Sequence, residues 1–175
     1  NGRSLFSSAV KKHCIFPSPN GTSYLLEHIR VEPALQNAGE QLGAQLRWNG
    51  PLMIEFAHHK TRLPAVIEIN TRPWLLNEAF RQLGTDYISG LKGPAPLGSD
   101  TTNISLWTRG ICAQIARGED VKGFEKFLEK QHGQTIRDPD YLDEDPSPFE
   151  LSISHFNKNR STRRLFKKVL MAIKH

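Results

Sequence analysis

The sequence lacks the features that define several large classes of protein. Its 175 residues include two cysteines, Cys14 and Cys112, and no Cys/His spacing of the zinc-binding kind. A disulfide framework is therefore excluded, and both thiols are expected to pack in a reducing compartment. No apolar stretch is long enough for a transmembrane helix and no signal peptide is visible. These absences predict a cytoplasmic protein.

Positive charge is confined to one end of the chain. The net charge is +5, but residues 158–175 alone carry +7 without a single acid, so the remainder is −2. Residues 161–174 predict a basic amphipathic helix, for which three roles compete. Its apolar side could pack on the domain, or it could lie on an anionic membrane surface. Binding to nucleic acid is the third, although no nucleic-acid-binding motif supports it.

Two segments rich in strand-favouring residues, Met53–Ala57 and Ala65–Asn70, predict a β-hairpin with a polar loop. Alternation along each strand puts apolar and polar residues on opposite faces. The apolar face is predicted to comprise Ile54, Phe56, Ile67 and Ile69, and the polar face Glu55, Glu68 and Asn70. If the loop turns near residues 61–62, Glu55 lies opposite Glu68 and Met53 opposite Asn70.

This register has an electrostatic consequence. Like charges directly opposed across two strands destabilise their pairing. A bound divalent cation would reverse that penalty, and Mg²⁺ prefers oxygen ligands such as carboxylates. The competing interpretation is that Glu55 and Glu68 are simply solvated on the outer face of the hairpin.

The residues around this hairpin resemble a known superfamily. The run E-(12 residues)-E-I-N-T-R-P-W begins at Glu55, follows W-x-G-P-x-M-I-E-F and precedes G-T-D-Y. Together these motifs resemble the metal-binding end of the ATP-grasp superfamily, and most of all its carbamoyl-phosphate-synthase-like carboxylate–amine ligases. The resemblance implies an α+β fold for residues 1–91: the C-terminal portion of an ATP-grasp domain, an antiparallel sheet with flanking helices. A helical extension would follow over residues 92–175.

The resemblance also implies roles for individual residues. Glu68 would bridge two Mg²⁺ ions against ATP, Glu55 would bind one of them, and Asn70 the other. Arg72 would be the catalytic residue that stabilises the transferred phosphoryl group or an acyl phosphate, and would contact ATP. ATP would phosphorylate a small-molecule carboxylate, and an amine would then displace the phosphate.

Further expectations concern ATP binding as a whole. Lys11 and Lys12 could face the ATP phosphates, or could simply protect an exposed strand edge. Complete ATP-grasp enzymes have a preceding lobe with the adenine pocket, and its residues do not appear ahead of Asn1. This portion alone is therefore expected to be inactive. The alternative is a non-catalytic module that recruits a partner or an anionic membrane through the basic C-terminal helix.

The remaining sequence patterns predict mainly helices. The predicted elements are strand structure within 4–16, helices over 33–46, 74–83, 104–117 and 119–131, a short helical turn at 86–91, an acidic loop over 137–150 and a short helix to 156. In the helix over 33–46, Leu35, Ala38, Leu42 and Leu46 form the predicted core stripe. Gly118 is predicted to separate the last two long helices. Gly110 in the first of them and Gly123 in the second each lower helix stability by about 1 kcal/mol.

Overall fold

The computed structural model describes residues 4, 7–17, 21–59, 62–72, 103–130 and 135–140, together with residues 154, 167 and 171. These residues form β1 (Ala9–Phe16), β2 (Thr22–Ile29), α1 (Pro33–Gln45), β3 (Met53–His59), β4 (Arg62–Asn70), β5 (Asn103–Leu106), α2 (Thr108–Ala116), α3 (Lys122–Lys130) and β6 (Thr135–Arg137). The fold is therefore a mixture of helices and largely antiparallel sheet, as expected for the α+β class. The chain divides into two compact units, residues 1–9 with 30–98 and residues 10–29 with 99–175.

The first unit contains α1 and the hairpin of β3 and β4. Helix α1 begins at Pro33, where a missing backbone N–H costs nothing, and it ends at Gln45, which confirms the helix predicted from the sequence. Its glycines face the hairpin: a Cβ on Gly39 would lie 3.5 Å from Ile54 Cδ1. The predicted core stripe needs correction, because Leu35, Ala38 and Leu42 are only half-buried and Leu46 is 52% exposed.

The second unit is built on a four-stranded sheet in the order β1-β2-β5-β6. Strand β2 pairs antiparallel with β5, and Leu26 lies opposite Ser105. Strands β5 and β6 are parallel, and α2 and α3 make the crossover between them. Gly118 lies just after α2 in the left-handed conformation, at φ 69°, and separates the two helices as predicted.

The hydrophobic core of the described residues lies in this second unit. Helix α2 packs on β2, and Gly110 lies directly against Tyr24. The buried apolar side chains are Tyr24, Leu25, Leu26, Ile104, Leu106, Trp107, Ile111, Cys112, Phe124, Phe127 and Ile136. Both α2 and α3 contribute to this set, so the sheet is covered by an apolar helical layer.

Three sequence-based assignments need correction in this unit. The predicted helix over 104–117 is wrong in its first residues, because Ile104 and Leu106 lie on strand β5. Both side chains are buried, β5 lies between β2 and β6, and a short apolar run suits a buried strand as well as a helix. The sequence interpretation also missed β2, which begins at Thr22. The helix predicted over 119–131 is present but begins later, at Lys122.

Several predicted elements lie outside the described residues. They are the helix over 74–83, the turn at 86–91, the acidic loop after residue 140, and most of the helix to 156 and of the basic helix over 161–174. In the basic segment, Lys167 and Met171 are helical and exposed. No helix in the part of the chain that the structure describes is long and apolar enough to cross a membrane.

Candidate metal-binding hairpin

The register of the hairpin confirms the sequence-based estimate. Glu55 lies opposite Glu68, and Met53 lies opposite Asn70. The two strands are longer than predicted, because β3 continues to His59 and β4 begins at Arg62. Two carboxylates and one amide therefore share one end of the hairpin, on the face opposite to Ile54.

Irregular pairing separates this end of the hairpin from its loop. Phe56 lies opposite Val66 rather than Ile67, so one extra residue is accommodated on β4 next to Glu68. The predicted apolar face therefore needs correction: Val66, and not Ile67, pairs with Phe56. A bulge of this kind increases the local twist and re-aims the neighbouring side chains. A second register shift lies between Ala57 and His59.

The polar side chains at this end are arranged by burial and hydrogen bonding. Glu68 is exposed, whereas Glu55 and Asn70 are half-buried. The Asn70 Nδ2 amide donates a hydrogen bond of 2.9 Å to Glu68 Oε1. This bond orients the Asn70 amide, because its N–H₂ end is turned toward Glu68 and its oxygen away from that contact. Arg72 follows two residues after Asn70 and is exposed.

These oxygens constrain which cation could bind. Among the described residues, no group of three or more His, Cys, Asp or Glu side chains is arranged to hold a metal ion. The hairpin offers two carboxylates and an amide oxygen, all hard oxygen donors. Such a set fits Mg²⁺, which keeps several waters and shares its coordination with substrate phosphates. It does not fit a structural zinc site, which takes four protein ligands.

The two lysines predicted to face phosphates belong to the second unit. Lys11 is exposed and Lys12 is half-buried, both on β1, whereas the carboxylates lie on the hairpin of the first unit. The structure therefore brings Glu55, Glu68 and Asn70 together on the hairpin, and Arg72 lies two residues after the end of β4. For Lys11 and Lys12 the role in ATP binding stays a prediction.

The second unit contains polar contacts that the sequence reading missed. His13 Nε2 lies 2.6 Å from Glu27 Oε2, and the His13 ring packs on Phe127 with centroids 4.6 Å apart. Tyr24 Oη donates a 2.5 Å hydrogen bond to Gln114 Oε1, although the two residues are ninety positions apart. No local sequence signal could have found either pair, because only the pairing of the strands and the packing of the helices bring them together.

A buried carboxylate joins β6 to α2. Asp138 is 2% exposed and accepts backbone hydrogen bonds from Thr108, at 2.7 Å, and from Asp140, at 2.8 Å. The first of these bonds satisfies an N–H group at the start of α2 that has no partner within the helix. Burial nevertheless raises the pKa of Asp138 to about 6. Asp138 thus caps the start of α2.

Both cysteines are unsuited to nucleophilic chemistry. Burial raises the pKa of Cys14, and burial raises the pKa of Cys112 to about 12. A thiol reacts as its thiolate, which is scarce at neutral pH under these conditions. The expectation that these residues pack in the fold is consistent with Cys112 being buried and Cys14 half-buried.

Comparisons with protein-family models, with curated proteins and with solved structures find no match to this chain.

Proposed function

We propose that this chain is the metal-binding part of an ATP- and Mg²⁺-dependent ligase of the ATP-grasp type, which joins a carboxylate to an amine. The observation that carries the proposal is the pairing of Glu55 with Glu68 and of Met53 with Asn70. It supports the proposal because the acidic residue and the E-x-N motif come from separate strands, yet their side chains meet on one face.

In the proposed reaction the hairpin neutralises charge. Mg²⁺ ions held by Glu55, Glu68 and Asn70 would offset the negative charge of the ATP phosphates, and Glu68 would be shared by two ions. Phosphoryl transfer depends mainly on such positioning and electrostatic stabilisation. The carboxylate substrate attacks the γ-phosphorus, ADP leaves, and the amine then displaces phosphate from the acyl phosphate. The Arg72 guanidinium would contact the phosphoryl oxygens as a planar, charged donor.

Replacement of one carboxylate tests the proposal. Mn²⁺ serves as a paramagnetic probe in place of Mg²⁺, added with an ATP analogue that cannot be hydrolysed. In the wild-type chain we expect NMR amide signals to broaden around Glu55, Glu68 and Asn70, and Mg²⁺ to reverse the effect by competition. Glu68→Gln keeps the side-chain size, removes one charged ligand, and should weaken Mn²⁺ binding at least about tenfold.

Glu129→Gln is the matched control, because Glu129 is an exposed glutamate on α3 in the other unit. This variant should bind Mn²⁺ as the wild type does. Equal broadening in wild type and Glu68→Gln would reject the metal site and leave the carboxylates as solvated surface residues. The non-catalytic binding module would then be the better hypothesis.

A further inference from the structure

We propose that the hairpin of β3 and β4 opens locally while the four-stranded sheet of the second unit stays folded. The side chains of Glu55, Glu68 and Asn70 would then come together when the hairpin closes and separate when it opens. This inference concerns the stability of the hairpin itself and holds whether or not the hairpin binds a metal ion.

The distribution of burial is the first argument. No side chain whose burial is described in the first unit is fully buried, whereas the second unit contains all the buried apolar residues named above. Val66, Ile67 and Ile69 are 48%, 61% and 38% exposed on β4. Apolar area removed from water is the main source of stability, so the hairpin gains much less from folding than β2 and β5 do.

The backbone pairing is the second argument. In the described part of the chain, β3 and β4 form a sheet of two strands only, and two register shifts interrupt their ladder. An isolated two-stranded hairpin is marginally stable in water, and each bulge leaves a residue unpaired. In contrast, β2 and β5 are the two central strands of their sheet and have neighbours on both sides.

The charge pattern of the hairpin also favours its opening. Glu55 and Glu68 are directly opposed near its open end, two positions from the Met53–Asn70 pair. Opposed like charges weaken a strand pair. The acidic residues that define the candidate site are therefore placed where they favour opening.

Native-state amide hydrogen exchange on the full chain, with two crossed variants, tests this inference. Gly39→Ala places a methyl group in ordinary contact with Ile54 and removes a helix-interior glycine, so it should stabilise α1 and the hairpin. Ile104→Val removes one methylene from the core of the second unit, where Ile104 is 1% exposed. Each variant acts on one unit by a conservative change, so both are expected to fold.

In the wild type, amides of residues 53–57 and 65–70 should exchange at least about tenfold faster than those of residues 23–27 and 104–106. Gly39→Ala should slow the amides of α1 and of the hairpin by about threefold and leave the sheet amides of the second unit unchanged. Ile104→Val should accelerate only the sheet amides, by roughly two- to tenfold. Equal exchange rates in the two regions, or a variant that shifts both regions alike, would overturn the inference.

A Mg²⁺ arm separates this inference from the proposed function. If the hairpin binds Mg²⁺, added Mg²⁺ should slow its exchange in the wild type and not in Glu68→Gln, because a ligand stabilises only the state that binds it. Fast hairpin exchange that is insensitive to Mg²⁺ would count against the metal site and would still support local opening.

Discussion

Gly110 offers a quantitative test of how α2 packs on the sheet. A Cβ at this position would overlap Tyr24 Cβ and would lie 2.8 Å from Tyr24 Cγ, far inside contact distance. Tyr24 cannot easily move away, because it is 4% exposed and its hydroxyl donates a hydrogen bond to Gln114. Its backbone oxygen also accepts a 2.8 Å hydrogen bond from Trp107 N–H.

The magnitude follows from two opposing effects. Replacing a helical glycine by alanine favours the helix by up to about 1 kcal/mol. Overpacking a filled core costs typically 1–3 kcal/mol, and here the obstructing atoms are close to the Tyr24 backbone rather than at a flexible end. With the upper part of that cost, about 2–3 kcal/mol, set against a propensity gain of about 1 kcal/mol, Gly110→Ala should destabilise the second unit by about 1–2 kcal/mol, although helix propensity alone predicts the opposite.

Gly123→Ala is the internal control. Gly123 is a glycine near the start of α3 in the same unit, and a Cβ there would meet nothing within 4 Å. It should stabilise the unit by about 0.5 kcal/mol, because only the propensity gain remains. A urea titration followed by NMR at the amides of β2 and β5 measures both changes. A Gly110→Ala protein as stable as the wild type would refute the close packing of α2 on Tyr24.

Further predictions concern pH and charge. Burial lowers the pKa of His28 from 6.5 to about 4, so its contribution to the unfolding free energy is present above pH 6.5 and is lost, by about 3 kcal/mol, as the pH falls to about 4. Burial raises the pKa of Asp138 from 3.8 to about 6, so its contribution is present below pH 3.8 and is lost, also by about 3 kcal/mol, as the pH rises to about 6. The two trends oppose each other. As the pH rises from about 4 to about 6, the unfolding free energy of His28→Gln should fall relative to that of the wild type. The unfolding free energy of Asp138→Asn should rise relative to that of the wild type over the same range. Urea midpoints across this range check both, and profiles parallel to wild type would contradict the burial of these groups. Glu68→Gln should leave the circular dichroism spectrum unchanged and the hairpin no less stable, because it removes one of two opposed charges; a loss of hairpin structure would contradict that reasoning.

In the second unit, local sequence signals were insufficient to predict the strands and the contacts between distant residues. Residues 104–106 are part of an apolar run that suits either a helix or a buried strand, and pairing with β2 and β6 made them a strand. The contact between Tyr24 and Gln114 and the cap that Asp138 provides to α2 join residues far apart in sequence. These contacts depend on the sheet order, which no periodicity encodes.

What the sequence determined by itself is the local geometry of the hairpin and of α1. Alternation with period two predicts the faces of β3 and β4, and Glu55 lies opposite Glu68 as predicted, although two register shifts separate this pair from the His59–Arg62 pair nearest the loop. Pro33 likewise set the start of α1. Only the tertiary structure decided that one residue more than predicted is accommodated beside Glu68, that Leu46 is exposed, and that the buried core lies in β2, β5, α2 and α3. The physical reason is that strand register and helix start depend on neighbouring residues, whereas burial depends on which distant surfaces meet.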